Sequence, residues 1–139
     1  MIKAINLSKK YSGKTVVNGL NITVSKGEIV GILGHNGAGK STTIWMIAGT
    51  LPPTSGEVYI DGKNIFDGNE EQKEFIGYLP ENNPLYENLT VAENLDFWAN
   101  VKQIPQSQKE QNIERLVNEL GLKDVFYRPI SELSKGYKQ

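Results

Sequence analysis

Residues 34–41 read Gly34-His35-Asn36-Gly37-Ala38-Gly39-Lys40-Ser41, and this loop constrains the architecture more than any other part of the chain. Its form, Gly-x-x-x-x-Gly-Lys-Ser, is that of a phosphate-binding loop, which needs a buried strand before it and a helix after it. Residues 28–33 are apolar at their centre, which is typical of a strand inside a covered parallel sheet. The sequence therefore predicts an α/β fold in which this strand delivers the chain to a phosphate site.

A helix is expected directly after the loop, over residues 41–48. Ile44, Ile47 and Ala48 recur there at the spacing of one helical face, which we expect to be the buried one. The N-terminal end of this helix would add its partial positive charge to the phosphate site.

The residue types of the loop suit ATP with Mg²⁺. Its glycines allow consecutive main-chain N–H groups to turn inward and form a concave nest for phosphate oxygens. Lys40 is expected to contact the β- and γ-phosphates, Ser41 to ligate Mg²⁺ and Thr42 to offer an N–H and a hydroxyl. The alternative is a glycine-rich turn that carries Lys-Ser by chance. The predicted nucleotide-binding set is Gly34, His35, Asn36, Gly37, Ala38, Gly39, Lys40, Ser41 and Thr42.

The remainder of the chain divides into strands up to about Glu81 and helices beyond it. Leu20, Ile22 and Val24 alternate with polar residues, which predicts a half-buried antiparallel strand paired with residues 2–7. Residues 58–60 precede Asp61-Gly62, a strong hairpin signal, and residues 76–79 are predicted to be a further core strand. We expect a core over residues 1–81 and a helical portion over residues 82–139.

Two capping boxes are predicted in the helical portion. Thr90 is followed three residues later by Glu93, and Ser107 by Glu110, so each pair could satisfy free amides at the start of a helix. Gly121 is placed to end the second helix.

Composition excludes several classes of function. The 15 Lys and Arg residues balance 16 Asp and Glu residues, so we expect no broad nucleic-acid surface. The absence of Cys excludes disulfides and thiolate metal sites. No apolar run reaches the roughly 18 residues that a membrane span needs, so we expect a cytoplasmic chain that reaches a membrane only through a partner.

Several segments, together with the loop, resemble the nucleotide-binding domain of ABC transporters over essentially the whole chain. The phosphate loop is similar to that family's Walker A segment, except that His35 stands where Pro or Ser is usual. Residues 53–57 (Pro-Thr-Ser-Gly-Glu), followed by residues 60–62 (Ile-Asp-Gly), are similar to the hairpin that follows the helix in that family. Residues 133–137 (Leu-Ser-Lys-Gly-Tyr) resemble its signature motif, with Lys135 for the first Gly and Tyr137 for Gln. The resemblance implies a P-loop NTPase core, an antiparallel β subdomain and an incomplete helical subdomain, in an exporter-like member.

The resemblance also implies roles for four residues outside the loop. Tyr11 matches the aromatic residue that stacks on adenine; the alternative is an edge-strand tyrosine covering the core. Glu81 stands where many members have Gln and would reach Mg²⁺ or its bound water; the alternative is an ordinary solvated carboxylate. Ser134 and Gly136 would contact the γ-phosphate of nucleotide held by a second ATP-binding subunit, in a homodimer or heterodimer; the alternative is a plain junction between a loop and a helix.

Hydrolysis in that family also needs an acidic residue after an apolar strand, a water-activating Glu and a later His. No apolar run in the chain ends in Asp-Glu, and the single His is His35 in the loop. The sheet is also expected to be incomplete, because it lacks the strands that would cover residues 28–33 and so leaves unpaired edges and exposed apolar surface. We therefore expect these residues to bind ATP weakly without turning it over and to aggregate, as a gene fragment, an engineered truncation or one part of a split protein would.

The leading hypothesis is the ATP-binding subunit of an ABC transporter, peripheral at the inner face of the cell membrane through a transmembrane permease. Residues 84–86 (Pro-Leu-Tyr) are the expected permease contact. One alternative is a nucleotide-binding fragment without turnover. Another is a non-transport ABC-type ATPase acting on DNA or ribosomes, which would carry a basic arm or long inserted helices. A small kinase would need an Arg-rich lid, and the chain has only Arg115 and Arg128.

Overall fold

The computed structural model describes residues 1–68, 73 and 75–139. These residues form two compact units, Met1–Tyr78 and Leu79–Gln139, each of which has its own core. The first unit contains β1 (Ile2–Tyr11), β2 (Lys14–Val24), α1 (Lys40–Ile47), β3 (Ser55–Ile60) and β4 (Lys63–Asn64). The second contains α2 (Val91–Val101), α3 (Gln106–Glu119), 3-10 turns at Lys123–Val125 and Ile130–Glu132, and the short α4 (Lys135–Lys138).

The first unit is built on an antiparallel sheet with the strand order β2-β1-β3-β4. In the central strand Ala4 pairs with Ile22 on one side and with Val58 on the other. The alternating pattern of residues 20–24 and their pairing with residues 2–7 are therefore confirmed. The hairpin predicted at Asp61-Gly62 is also confirmed, since both residues have positive φ (47° and 82°), as a two-residue type I′ turn requires.

Helix α1 packs its central side chains against this sheet. Met46 is fully buried there, in a core that also contains Ala4, Leu7, Val17, Val58 and Ile65. The helix is confirmed, but its predicted buried face is wrong in part, because Thr42, Thr43 and Met46 are buried while Ile44 is 40% exposed. Which face of so short a helix is buried depends on how its N-terminal end packs against β2. The spacing of apolar residues alone does not predict this packing.

Two predicted strands are not present. Residues 28–33 and 76–79 have no ladder partner among the described residues, and Ile29 and Leu33 are 98% and 95% exposed. A strand exists only when its N–H and C=O groups find a neighbouring strand. The parallel sheet expected around residues 28–33 is therefore absent from the described part of the chain, although Ile76 does pack against the first core.

The second unit begins its first helix with the predicted capping box. Thr90 accepts from the Glu93 amide at 3.2 Å and its own amide donates to the Glu93 carboxylate at 2.8 Å. The second predicted box is wrong: α3 begins at Gln106 after Pro105, without a side-chain cap. Pro105 is the N-cap, with φ -55° and an extended ψ of 138°, so Ser107 lies inside the first turn and is not free to cap it. Gly121 has φ 65° directly after the helix, which confirms it as the stop.

A buried lysine joins α2 to α3. Lys109, only 7% exposed, donates to Asp96 at 2.5 Å and to Asn100 at 3.0 Å. Asn100 in turn donates to the other Asp96 oxygen at 2.9 Å. The ammonium is thus largely removed from water but is paired with a carboxylate and hydrogen-bonded to a second oxygen, which is the condition under which a buried charge is tolerated.

This pair predicts an acid-dependent stability. The hydrogen bond from Lys109 holds the pKa of Asp96 below its ordinary value of 3.8. A carboxyl whose folded pKa is lowered stabilises the fold above its unfolded pKa, and that stabilisation is lost as the pH falls through the folded value. Asp96→Asn is therefore expected to lower the free energy of unfolding at neutral pH, and the difference from the parent chain is expected to shrink below about pH 3.8.

Urea unfolding at a series of pH values would measure this. Glu132→Gln is the control, because it removes an exposed carboxylate that lies 3.5 Å from Arg128 and should have little effect. A destabilisation by Asp96→Asn that stays constant on acidification would contradict the prediction.

Candidate nucleotide-binding site

The phosphate loop is seated directly on strand β2. Gly39 has φ 84°, and a Cβ placed on it would lie 2.7 Å from the carbonyl oxygen of Val16 and 3.1 Å from Cγ2 of Val17. A side chain at position 39 is therefore excluded by both its backbone conformation and its neighbours. This close approach of two backbones explains why the motif has glycine immediately before the lysine in this fold.

Lys40 bridges the loop from the first residue of α1. Its ammonium donates to the carbonyl of Gly34 at 2.6 Å and to that of His35 at 2.8 Å. Both partners are neutral carbonyls, so the positive charge of Lys40 is not neutralised by these contacts. The lysine closes the loop into a ring and keeps a full positive charge at its mouth.

The start of α1 presents free main-chain donors beside that charge. The N-cap is Gly39, which has no side chain to occupy them, and the first turn contains no acidic residue. Thr43 is the first residue whose amide bonds within the helix, to the Gly39 carbonyl at 2.8 Å, so the amides of residues 40–42 precede the intrahelical ladder. Ser41 is exposed at this end, whereas the Thr42 side chain is 8% exposed and faces the core.

The other loop residues form the rim. A Cβ on Gly34 would lie 3.2 Å from that of Ala38, so the two ends of the loop approach each other closely. Ala38 donates its amide to the His35 carbonyl at 3.2 Å, which tightens the turn, and Gly37 has φ 82°. His35 and Asn36 are exposed, and the His35 ring nitrogen Nδ1 lies 2.9 Å from the Asn36 carbonyl.

Tyr11 lies at the end of β1, where it pairs with Lys14 across a tight turn. Its ring is 42% exposed, and the Lys9 ammonium stands 5.5 Å from the ring centroid, within the range of a cation–π contact. Lys14 precedes Val16, the residue that seats Gly39, by two strand positions, or about 7 Å. The hairpin that carries Tyr11 therefore belongs to the same strand pair that supports the phosphate loop.

Glu81 belongs to the second unit and is exposed there. It borders a cleft of about 360 Å³ that is also lined by Asn82, Asn83, Leu133, Lys135 and Lys138. Two cations and one carboxylate thus share this cleft, so Glu81 lies near the signature segment of its own unit.

Ser134 is the N-cap of α4 and accepts from the Tyr137 amide at 3.4 Å. Gly136 follows inside the helix; it is exposed, and the nearest atom to a Cβ built on it would be Ser134 Oγ at 3.9 Å. The segment is held in place by Leu133, which packs on the second core, and by Lys138, which bonds Glu87 at 2.7 Å. The Ser134 hydroxyl and the Gly136 amide are therefore both at the surface of this unit.

Sequence reasoning missed the residues that support the site. Val16 and Val17 contact Gly39, and Lys9 contacts Tyr11, but none of them belongs to a motif. No local signal could have indicated that Gly39 would be the neighbour of Val16 and Val17, since these residues are far apart in the chain.

None of the helices in the described part of the chain has the length and hydropathy of a membrane span. The described residues also contain no group of three or more His, Cys, Asp or Glu side chains that could hold a metal ion.

The sequence is similar to those of known proteins. The chain is 42% identical over 137 residues to human ATP-binding cassette sub-family A member 9, spanning 99% of this chain and 8% of that protein. It is 37% identical over 139 residues to the linearmycin resistance ATP-binding protein LnrL of Bacillus subtilis, spanning the whole of this chain and 45% of that one. The chain thus spans less than half the length of these relatives.

Solved structures agree. An ATP-binding subunit of an ABC transporter superposes with a TM-score of 0.80 at 33% identity, covering 99% of this chain and 57% of the other. The structure of cbiO1 from Clostridium perfringens, described as part of the ABC transporter complex cbiONQ, superposes with a TM-score of 0.83 at 27% identity and the same coverage. These likenesses confirm the predicted α/β P-loop NTPase fold.

The family model described as ABC transporter matches residues 17–139, from the strand that seats the phosphate loop to the last residue of the chain. This match covers the phosphate loop, the hairpin after α1 and the signature segment together. The chain belongs to the ABC transporter family, in its ATP-binding part.

Proposed function

We propose that this chain binds Mg-ATP and is the nucleotide-binding portion of a transporter that couples ATP binding and hydrolysis to a transmembrane permease. The observation that carries the proposal is the arrangement of the loop around Lys40. The Lys40 ammonium, held by two neutral carbonyls, lies with the N-terminal end of α1 and an exposed Ser41 hydroxyl where Gly39 is seated on β2. Positive charge, amide donors and a hard oxygen ligand are what a triphosphate with Mg²⁺ requires.

Tyr11 is proposed as the surface on which the adenine stacks. The exposed ring and its position on the hairpin that supports the loop favour this role over that of a tyrosine covering the core. Stacking on a partly exposed ring contributes about 1 kcal/mol, the low end of the range for a base on an aromatic residue. The base would therefore add selectivity for a nucleotide, while the phosphates supply most of the affinity.

The second unit is proposed to act on nucleotide held by another ATP-binding subunit. Ser134 and Gly136 present a hydroxyl and an N–H at the surface, as a contact across a dimer requires. Glu81 is proposed to approach Mg²⁺ or its bound water. We propose residues 1–81 as the ATP-binding core and residues 82–139 as the helical subdomain, both of them required for this cycle, while the boundary between the compact units lies between residues 78 and 79.

The permease is proposed to dock on an exposed aromatic surface of the second unit. Tyr86 contacts Phe97 with ring centroids 4.9 Å apart, and Phe97 contacts Trp98 at 5.4 Å. The three rings are between 36% and 50% exposed, which is unusual for large apolar side chains that contact each other. The docked chain would lie at the cytoplasmic face of a membrane.

Tyr86→Asp is expected to weaken copurification of the chain with its permease, because it places a charge in the aromatic surface. Unchanged copurification would exclude this surface as the docking site.

Export is the favoured direction of transport. The names of two relatives, the linearmycin resistance protein and a probable multidrug transporter of Escherichia coli (37% identical over 139 residues), describe resistance and drug transport in those proteins. The signature variant with Lys135 and Tyr137 favours the same assignment.

The proposal is tested by titrating the chain with Mg-ATP and with adenosine in a calorimeter, and by measuring phosphate release on the same preparation. We expect weak ATP binding, at least tenfold weaker adenosine binding and no phosphate release by these residues, because none of them matches the water-activating Glu. Equal affinity for ATP and adenosine would refute the phosphate site. Phosphate release above background from a monodisperse sample would refute the absence of turnover.

A further inference from the structure

Lys9 makes two contacts that no motif accounts for. Its ammonium donates to the Pro52 carbonyl at 2.5 Å, which anchors it on the segment that follows α1. It also stands 5.5 Å from the centroid of the Tyr11 ring. A half-buried lysine side chain is thus held between the chain after α1 and the ring at the end of β1.

The surrounding backbone holds this anchor in place. The Thr54 amide donates to the Ser8 carbonyl at 2.9 Å, and the Lys10 amide donates to the Thr54 hydroxyl at 3.0 Å. The segment that carries Pro52 is therefore fastened to the same stretch of β1 as Lys9. On its other side β1 pairs Lys9 with Val17 of β2, and the Val17 side chain packs against the backbone of Gly39.

We propose that Lys9 is a positioning residue for the base: it occupies one face of the Tyr11 ring and thereby offers the opposite face for stacking. This inference rests on the proposed function and specifies its selectivity for a nucleoside over a bare phosphate chain. A ring that carries a cation on one face is restrained against rotation, so less freedom is lost when a base stacks on the other face. The ligand class is a nucleoside triphosphate. Lys9 is expected to raise its affinity through the base and not through the phosphates.

The test compares Mg-ATP with inorganic tripolyphosphate, which has the phosphates and lacks the base. Lys9→Met is expected to weaken ATP binding about two- to fivefold and to leave tripolyphosphate binding unchanged. Lys9→Arg is expected to restore ATP binding, because a guanidinium also stacks on aromatic faces. Lys10→Met removes the same charge one residue away, without a contact to the ring, and should change neither ligand.

A double variant separates positioning from general stability. When Tyr11→Leu is already present, Lys9→Met should have no further effect on ATP binding, because the ring through which it acts is gone. Additive losses would overturn the inference, as would an equal loss for tripolyphosphate, which would mean that Lys9 touches the phosphates.

A measurement without nucleotide keeps the inference testable if ATP itself fails to bind. The NMR signals of the Lys9 methylene group next to the ammonium should be displaced by the Tyr11 ring and should return to ordinary positions in Tyr11→Leu. If this displacement is absent, Lys9 does not lie on the ring. If it is present while the parent chain binds no ATP, the proposed function fails and the positioning of the base fails with it.

Discussion

Lys40→Ala is expected to weaken ATP binding by about one to two decades and to leave adenosine binding nearly unchanged. A hydrogen bond from a charged donor contributes about 1.5–3 kcal/mol, and each 1.4 kcal/mol corresponds to about tenfold in affinity. Among the described residues the Lys40 ammonium donates to the carbonyls of Gly34 and His35 and to no carboxylate. It can therefore exchange these neutral partners for phosphate oxygens without breaking an ion pair.

The measurement is a calorimetric titration of each variant with both ligands. Lys63→Ala is the control, since it removes an exposed lysine of the short strand β4 in the same unit. An equal loss of ATP and adenosine affinity in Lys40→Ala would show that the substitution distorted the loop and removed no phosphate contact. Near-ultraviolet circular dichroism of the unliganded variant would reveal such a distortion independently.

Gly39→Ala is expected to destabilise the first unit strongly. The left-handed conformation costs about 1–2 kcal/mol for a residue with a Cβ, and crowding against a packed neighbour adds about 1–3 kcal/mol. The added Cβ would lie 2.7 Å from the Val16 oxygen, a backbone atom of β2 between the paired residues Thr15 and Val17. We therefore expect the free energy of unfolding of the first unit to fall by about 2–5 kcal/mol and the phosphate loop to leave its seat.

The same loop provides a matched control. Gly37 has nearly the same φ, 82°, but no atom lies within 4 Å of a Cβ built on it. Gly37→Ala should therefore cost only the conformational term of about 1–2 kcal/mol. Urea unfolding would measure the free energy of unfolding of both variants, and the difference between them gives the energy of the contact with β2. Equal destabilisation would mean that the loop does not depend on its contact with Val16.

The features that could be predicted are those determined by short stretches of chain. The phosphate loop, the Asp61-Gly62 turn, the Thr90–Glu93 cap and the stop at Gly121 each depend on the conformational preferences of a few adjacent residues. The pairing of β1 with β2 was accessible for the same reason, because the two strands are neighbours in sequence and alternate clearly. Ser107 failed as a cap because the helix begins one residue before it, at Gln106, with Pro105 as the N-cap.

The sequence by itself thus determined the phosphate loop, its helix and the family to which they belong. The tertiary structure alone decided that α1 buries Thr42 and Met46 and that Gly39 is seated on Val16. It also placed Lys9 on Tyr11. The physical reason is that a turn or a cap is stabilised within a few residues, whereas a ladder, a buried face and a backbone contact need a partner that the chain brings back from a distance.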